Sequence, residues 1–341
     1  MATRKWKLLG TLVVDLIWMS SWALAQSQER FTFAEPHLGT IVEITLYAPE
    51  DTVANDAAKA AFRRLKELDQ IFSDYKTDSE TMRLCDSAGS GRAVKVSPEL
   101  FHVIRKSIEI SEKSEGAFDV TVGPLVQLWR RARKLKILPN NDELAAAKEL
   151  VGSKLVSLDE ATQSVELKRQ GMRLDFGGIA KGFIAQNVSQ LLREKGHQQT
   201  LVAVAGDIVA GDAPPNTSGW KVGVAPLDRP NGAVSRLLLL KNCAISTSGD
   251  AFQFAEINGV RYSHIVNPHT GLGLTERSSV TVLAEDGTTA DALATAICVL
   301  GPQKGLKLIE GRGGVDALIV QATDDGPRVI ESKSFRSYET K

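Results

Sequence analysis

The chain has 341 residues, 43% of them hydrophobic and 24% charged, enough to fill one large core or two small ones. Lysine plus arginine and aspartate plus glutamate stand at 41 each, and no basic stripe carries interleaved aromatics, which argues against a nucleic-acid partner. Three cysteines, Cys85, Cys243 and Cys298, allow at most one disulfide and form no CxxC metal pattern.

Residues 1–25 read as a secretory signal. Arg4, Lys5 and Lys7 form the charged start, Leu8 to Trp18 the apolar middle, and Ala23-Leu24-Ala25 the small-residue cleavage pattern. Asp15 interrupts the apolar run, which is shorter than the roughly 20 residues a membrane span needs. No cysteine follows the cleavage pattern, so no lipid anchor is expected. The expectation is a mature chain of residues 26–341, periplasmic and without a transmembrane span.

Val42, Ile44 and Leu46 alternate with polar neighbours and predict a half-buried strand over 39–47. Ala58, Phe62, Leu65, Leu68 and Phe72 mark an amphipathic helix, followed by a polar loop that contains Tyr75. Ser97-Pro98-Glu99 supplies a cap, a proline for the first position and an acid for the helix's positive end. Gly116-Ala117-Phe118-Asp119 follows that helix. Asp119 lies between apolar neighbours, so it is expected to be partly buried and hydrogen-bonded, to a ligand or to local backbone. The basic run from Trp129 to Lys134 reads as a solvated face. A short capped helix over 141–152 and strands at 154–158, 164–168 and 171–176 complete this half.

Leu174-Asp175-Phe176-Gly177-Gly178-Ile179-Ala180-Lys181-Gly182-Phe183 is the centre of the chain. A buried strand runs into a helix through two glycines, with Lys181 in the first turn and Gly196 as the closing cap. Either this is a phosphate site, with free helix amides and a lysine charge, or a tight turn with a solvated lysine. Beyond it come strands at 201–205, 220–224 and 237–240, a turn at Gly206, and a loop at Ala244–Asp250 rich in hydroxyls. His264, in Ser263-His264-Ile265-Val266-Asn267-Pro268, is the best-placed group for proton traffic; a structural histidine is the competing reading. Asp291 and Thr295 fall on one face of an apolar helix by four-residue spacing, and a further helix and strand pair close the chain.

The motifs GAFDVTVGP, LDFGGIAKGF, AISTSGD, SHIVNPHTG and TTADALATA, in that order within residues 30–335, resemble those of the ApbE family of flavin transferases, the FAD:protein FMN transferases. The resemblance implies a single α+β domain of two lobes with the ligand held between them. It implies FAD as substrate, with Leu38, Tyr75, Ala117, Phe118, Asp119, Asp175, Lys181 and Ile265 around the flavin nucleotide. It also implies Mg²⁺ on Asp291, Thr295 and the backbone carbonyl of Gly178, a hard-oxygen set. His264 and Asp291 become the catalytic candidates.

Three positions depart from the family pattern. Leu38 stands for a methionine, Ala205 for the first glycine of Gly-Gly-Asp, and Asn267 for an aspartate that could orient a neighbour or only cap a turn. The implied reaction moves FMN from FAD onto a Thr or Ser hydroxyl of an exported flavoprotein, with AMP released. Exported domains of membrane redox complexes, or of a nitrous-oxide-pathway flavoprotein, are the acceptors the resemblance suggests. An FAD pyrophosphatase and a non-enzymatic flavin carrier are the alternative readings.

Overall fold

The computed structural model describes residues 28–227, 233–250 and 253–340. The expected signal segment lies outside the described residues.

The first half carries β1 (Glu29–His37), β2 (Thr40–Ala48), α1 (Asp51–Phe72), α2 (Glu80–Asp86), β3 (Val94–Lys95) and α3 (Pro98–Lys113). It continues with α4 (Gly123–Leu135), α5 (Asn141–Lys148), β4 (Val156–Asp159), β5 (Ser164–Leu167) and α6 (Ala180–Glu194). Then come β6 (Thr200–Val204), β7 (Asp207–Ala210), β8 (Trp220–Val224), β9 (Arg236–Leu240) and β10 (Cys243–Gly249). The chain closes with β11 (Phe254–Ile257), β12 (Val260–Ser263), β13 (Ser278–Ala284), α7 (Gly287–Ile309), β14 (Asp316–Thr323) and β15 (Gly326–Glu331).

An eight-stranded antiparallel sheet in the order β1-β2-β6-β7-β10-β13-β14-β15 is the frame. Successive side chains leave opposite faces of a strand, so both faces of its centre are buried. Ala244, Val282 and Ala317 join the core under α1, α6 and α7, whereas their neighbours Ile245, Leu283 and Leu318 face the β8–β9 hairpin and Phe335. The second lobe gathers α4, α5 and the β11–β12 hairpin around Trp129, Leu125 and Tyr262. The architecture is therefore α+β, as the resemblance implies.

Ser97 caps α3 by accepting the amide of Leu100, and Gly196 follows α6 with φ +95°, as the sequence predicts. Two expectations are corrected. Residues 171–176 alternate like a strand but pair with no neighbour; the segment crosses the core, with Asp175 N–H donating to Val120 O at 2.8 Å. Residues 244–250, expected as a loop, form most of β10, bonded on both sides by β7 and β13. Its hydroxyls are set by strand geometry and not by turn-making. By length and composition α7 could cross a membrane, but it packs between α6 and the sheet and kinks at Gly301-Pro302.

Candidate active site

The site begins where α6 meets α7. Gly182 and Gly287 touch there: a Cβ on Gly182 would lie 2.0 Å from the Gly287 carbonyl, and one on Gly287 2.3 Å from that of Gly182. Only hydrogens fit, and the close approach brings the first turns of both helices together. The N-terminal residue before α6, Ile179, offers no side-chain cap. Asp291 does so from the neighbouring helix, its Oδ2 accepting Gly182 N–H at 3.0 Å. One turn further along α7, Thr295 Oγ1 lies 2.7 Å from the position a Gly178 Cβ would take, and 3.3 Å from Ser248 Oγ. Gly178, Asp291 and Thr295, the implied metal ligands, therefore sit together.

Lys181 is placed in the first turn of α6, but not as a free phosphate ligand. Its Nζ donates to Asp207 Oδ2 at 2.7 Å and lies 3.7 Å from Asp291 Oδ2. Asp207 also accepts from Ser246 Oγ. Burial works against the Lys181 charge, but the two carboxylates more than offset it and hold the amine protonated. Asp291 is pushed up to about 7 by burial and by the charge of Asp207, with Lys181 and the Gly182 amide pulling the other way.

A second cluster surrounds Asp175. Arg130 reaches it at 3.2 Å, also bonds Asp74, and lies over the Tyr75 ring with its guanidinium carbon 4.6 Å from the centroid. Asp175 Oδ1 accepts Gly177 N–H at 2.8 Å. Burial and Asp74 raise the Asp175 carboxyl above its ordinary range, against the pull of Gly177 and Arg130. Tyr75 remains 79% exposed, so one ring face is open to a stacking ligand. The basic run thus corrects its reading as a solvated face, at least at Arg130.

Asp119 is buried and hydrogen-bonded, by protein groups alone. Its Oδ1 accepts Thr121 N–H at 2.8 Å and Thr121 Oγ at 2.6 Å; its Oδ2 accepts Ser153 N–H at 3.0 Å and Ser111 Oγ at 3.2 Å. Four donors match a carboxylate's ordinary capacity, so the residue staples its turn to the 150s loop, the local hydrogen-bonding role that the sequence left open beside a ligand contact. Ala117 and Phe118 beside it are buried, the latter in the main core.

His264 Nδ1 lies 3.1 Å from the Gln253 carbonyl, which can only accept, so the ring proton sits on Nδ1 and Nε2 keeps a free lone pair. Burial lowers its pKa, and the charges of Arg133 and Lys181 lower it further, against the pull of the Gln253 carbonyl. The ring is a neutral base at pH 7. Asn267 does not orient it: its Oδ1 accepts the amides of His269 (2.8 Å) and Thr270 (3.4 Å), the turn-capping role. Ile265 packs against the main core, and its amide is held by Ser263 Oγ at 3.1 Å. Leu38 and Gly39 form the β1–β2 turn, both with positive φ (53° and 70°). At the same end of the sheet Ala205 takes φ +55° in the β6–β7 turn, so the left-handed position falls on alanine and not on Gly206.

The ApbE family model matches residues 38–319. The chain belongs to the ApbE family. It is 30% identical over 92% of its length to an FAD:protein FMN transferase of Vibrio cholerae, covering 94% of that protein. It is 32% identical over 92% of its length to an FAD:protein FMN transferase of Treponema pallidum, covering 90% of it. The fold is similar to the solved flavin transferase ApbE of Vibrio cholerae, with TM-score 0.82, 29% identity and cover of 92% and 100% of the two chains. The ApbE protein of Thermotoga maritima is similar at TM-score 0.81 and 29% identity, again over 92% and 100%. Within this ApbE chain, Asp207, Ser248 and Arg130 are the site neighbours that sequence reasoning missed as site residues. Their signal was present: Asp207 closes the Ala-Gly-Asp motif, Ser248 sits in AISTSGD, and Arg130 lies within the helix that opens with Gly123-Pro124.

Proposed function

We propose that this protein is an FAD:protein FMN transferase, moving FMN from FAD to a Thr or Ser hydroxyl of an exported flavoprotein and releasing AMP. The observation that carries the reading is the convergence of Gly178, Lys181, Asp291 and Thr295 at the α6–α7 contact, in a family member of matching length.

The donors fit Mg²⁺ in part. Among the described residues no group of three or more His, Cys, Asp or Glu side chains could hold a metal ion. Mg²⁺ here would rest on Asp291, the Thr295 hydroxyl and the Gly178 carbonyl, with waters and substrate phosphates completing the oxygen shell, its usual mode. It would supply charge neutralisation on the phosphates and stabilise the leaving AMP.

The chain's own groups do the rest. The open face of Tyr75 receives the isoalloxazine ring, and Asp175, fixed by Arg130 and Gly177, offers it a polar edge. His264 Nε2 takes the proton of the acceptor hydroxyl. That oxygen forms a bond to the phosphorus on the FMN side, the bond from this phosphorus to the AMP phosphate breaks, and AMP leaves with the electron pair. Asp207 holds Lys181, and Lys181 keeps Asp291 from being an isolated buried charge. Export to the periplasm is part of the proposal; what supports it is the charged, apolar and Ala-Leu-Ala order of residues 1–25.

The test is incubation of the purified protein with FAD, Mg²⁺ and an exported acceptor domain. AMP and a flavin that stays on denatured acceptor are the expected products. FMN and AMP with no labelled acceptor would make the protein a pyrophosphatase, and flavin binding without AMP would make it a carrier.

A further inference from the structure

The α6–α7 contact leaves a problem of charge. FAD brings two linked phosphates, yet Lys181 is already shared between two carboxylates, so the group of Lys181, Asp207 and Asp291 is anionic once all three ionise. Beside the proposed Mg²⁺, a side-chain positive charge not already shared with carboxylates would have to come from another wall of the site, and α4 supplies one.

Trp129 anchors that helix: its Nε1–H donates to Ser263 O at 3.0 Å, the carbonyl next to His264, and its ring packs against Tyr262. Arg130 points to the other flank, where it covers Tyr75 and binds Asp74 and Asp175. Arg133 is four residues from Trp129 and three from Arg130, so it lies one turn on between these two directions. Its Nε is buried without a hydrogen-bond partner, and no carboxylate pairs with its guanidinium among the described residues. An unpaired buried donor on a charged group is costly, more so beside a second cation.

We propose that Arg133 is a phosphate ligand of this site, donating its guanidinium N–H groups to a non-bridging oxygen of the FMN-side phosphate. The inference rests on the flavin-transferase reading and adds a residue to it. A planar fork of donors suits a phosphoryl oxygen better than a point charge does. The electrostatics agree: burial and Arg130 depress the guanidinium's hold on its proton, and Arg133 in turn disfavours a charged His264. Both effects are relieved when an anion sits between them. The same contact would keep the FMN phosphate in place while AMP departs and the acceptor oxygen arrives.

The experiment is titration of FAD, FMN and riboflavin, followed by flavin fluorescence, into the full chain and its Arg133→Gln and Arg133→Lys variants. Unchanged thermal unfolding midpoints serve as the check on folding. Arg133→Gln is expected to weaken FAD and FMN roughly ten- to a hundredfold and to leave riboflavin within about twofold, with Arg133→Lys between. Equal weakening of all three flavins would overturn the proposal in favour of a packing role. Unchanged affinity for all three, with covalent labelling of the acceptor lost, would overturn it in favour of acceptor recognition. The phosphate-specific loss without any AMP release by the parent protein would leave the Arg133 contact standing and remove the transferase reading instead. Absence of any flavin binding by the parent protein would overturn both.

Discussion

At the residue scale the site turns on one lysine and its carboxylates. Lys181→Met leaves Asp207 and Asp291 buried and unpaired, which should cost on the order of 3 kcal/mol of stability, measured by chemical denaturation. A loss confined to FAD binding, with stability unchanged, would return Lys181 to the role of plain phosphate ligand. Asp291→Ala should abolish AMP release while retaining part of FAD binding, because Tyr75 and the apolar contacts to the ring are untouched; full turnover with Mg²⁺ as the sole divalent ion would remove Asp291 from the metal site. The position of Lys181 was legible in the motif. Its pairing was not, since the partners lie 26 and 110 residues further along the chain and meet it only through the sheet and the helix contact. Ala205 is a smaller case. A non-glycine residue at φ +55° bears strain of about 1–2 kcal/mol, partly offset by glycine's extra unfolded freedom, so Ala205→Gly should stabilise the fold by about 0.5–1 kcal/mol in the same assay.

At the element scale the contact between α6 and α7 decides whether a site exists. A methyl on Gly182 would meet the Gly287 carbonyl at 2.0 Å and Asp291 Cβ at 2.7 Å, and backbone cannot yield as a side-chain tip can. Gly182→Ala should therefore lower stability by about 2–3 kcal/mol or more and move Asp291 and Thr295 on α7 away from Gly178 and Lys181 at the start of α6, with AMP release falling even in the fraction that folds. Ordinary activity in a stable Gly182→Ala protein would show that the helices can part without harm. Helices, caps and most strands were legible because period and capping are local. The 171–176 segment shows the limit: alternation of Met172, Leu174 and Phe176 reports burial of one side, and only a partner strand makes it a ladder. Residues 244–250 show the opposite error, since serine, threonine and glycine read as a turn until two neighbours pair with them.

At the scale of the whole molecule, protons and the proposed Mg²⁺ would meet at one carboxylate. Asp291 carries a folded pKa raised by burial and Asp207, so the metal-free protein should lose stability from this group as pH rises from the ordinary carboxylate range through about 7. Mg²⁺ with FAD should reverse that trend, and melting curves with and without them between pH 5 and 8 would check the sign. On the proposed reading, the antiparallel sheet, the helix pair beneath it and the α4 lobe would bring one phosphorus within reach of His264 and of a hydroxyl from outside. The most direct measurement is in-gel flavin fluorescence of a denatured exported acceptor co-expressed with this protein. The account predicts a fluorescent band that vanishes when the acceptor's target Thr is changed to Val and when Asp291 is changed to Ala. No labelled acceptor, with FMN and AMP still accumulating from FAD, would contradict it.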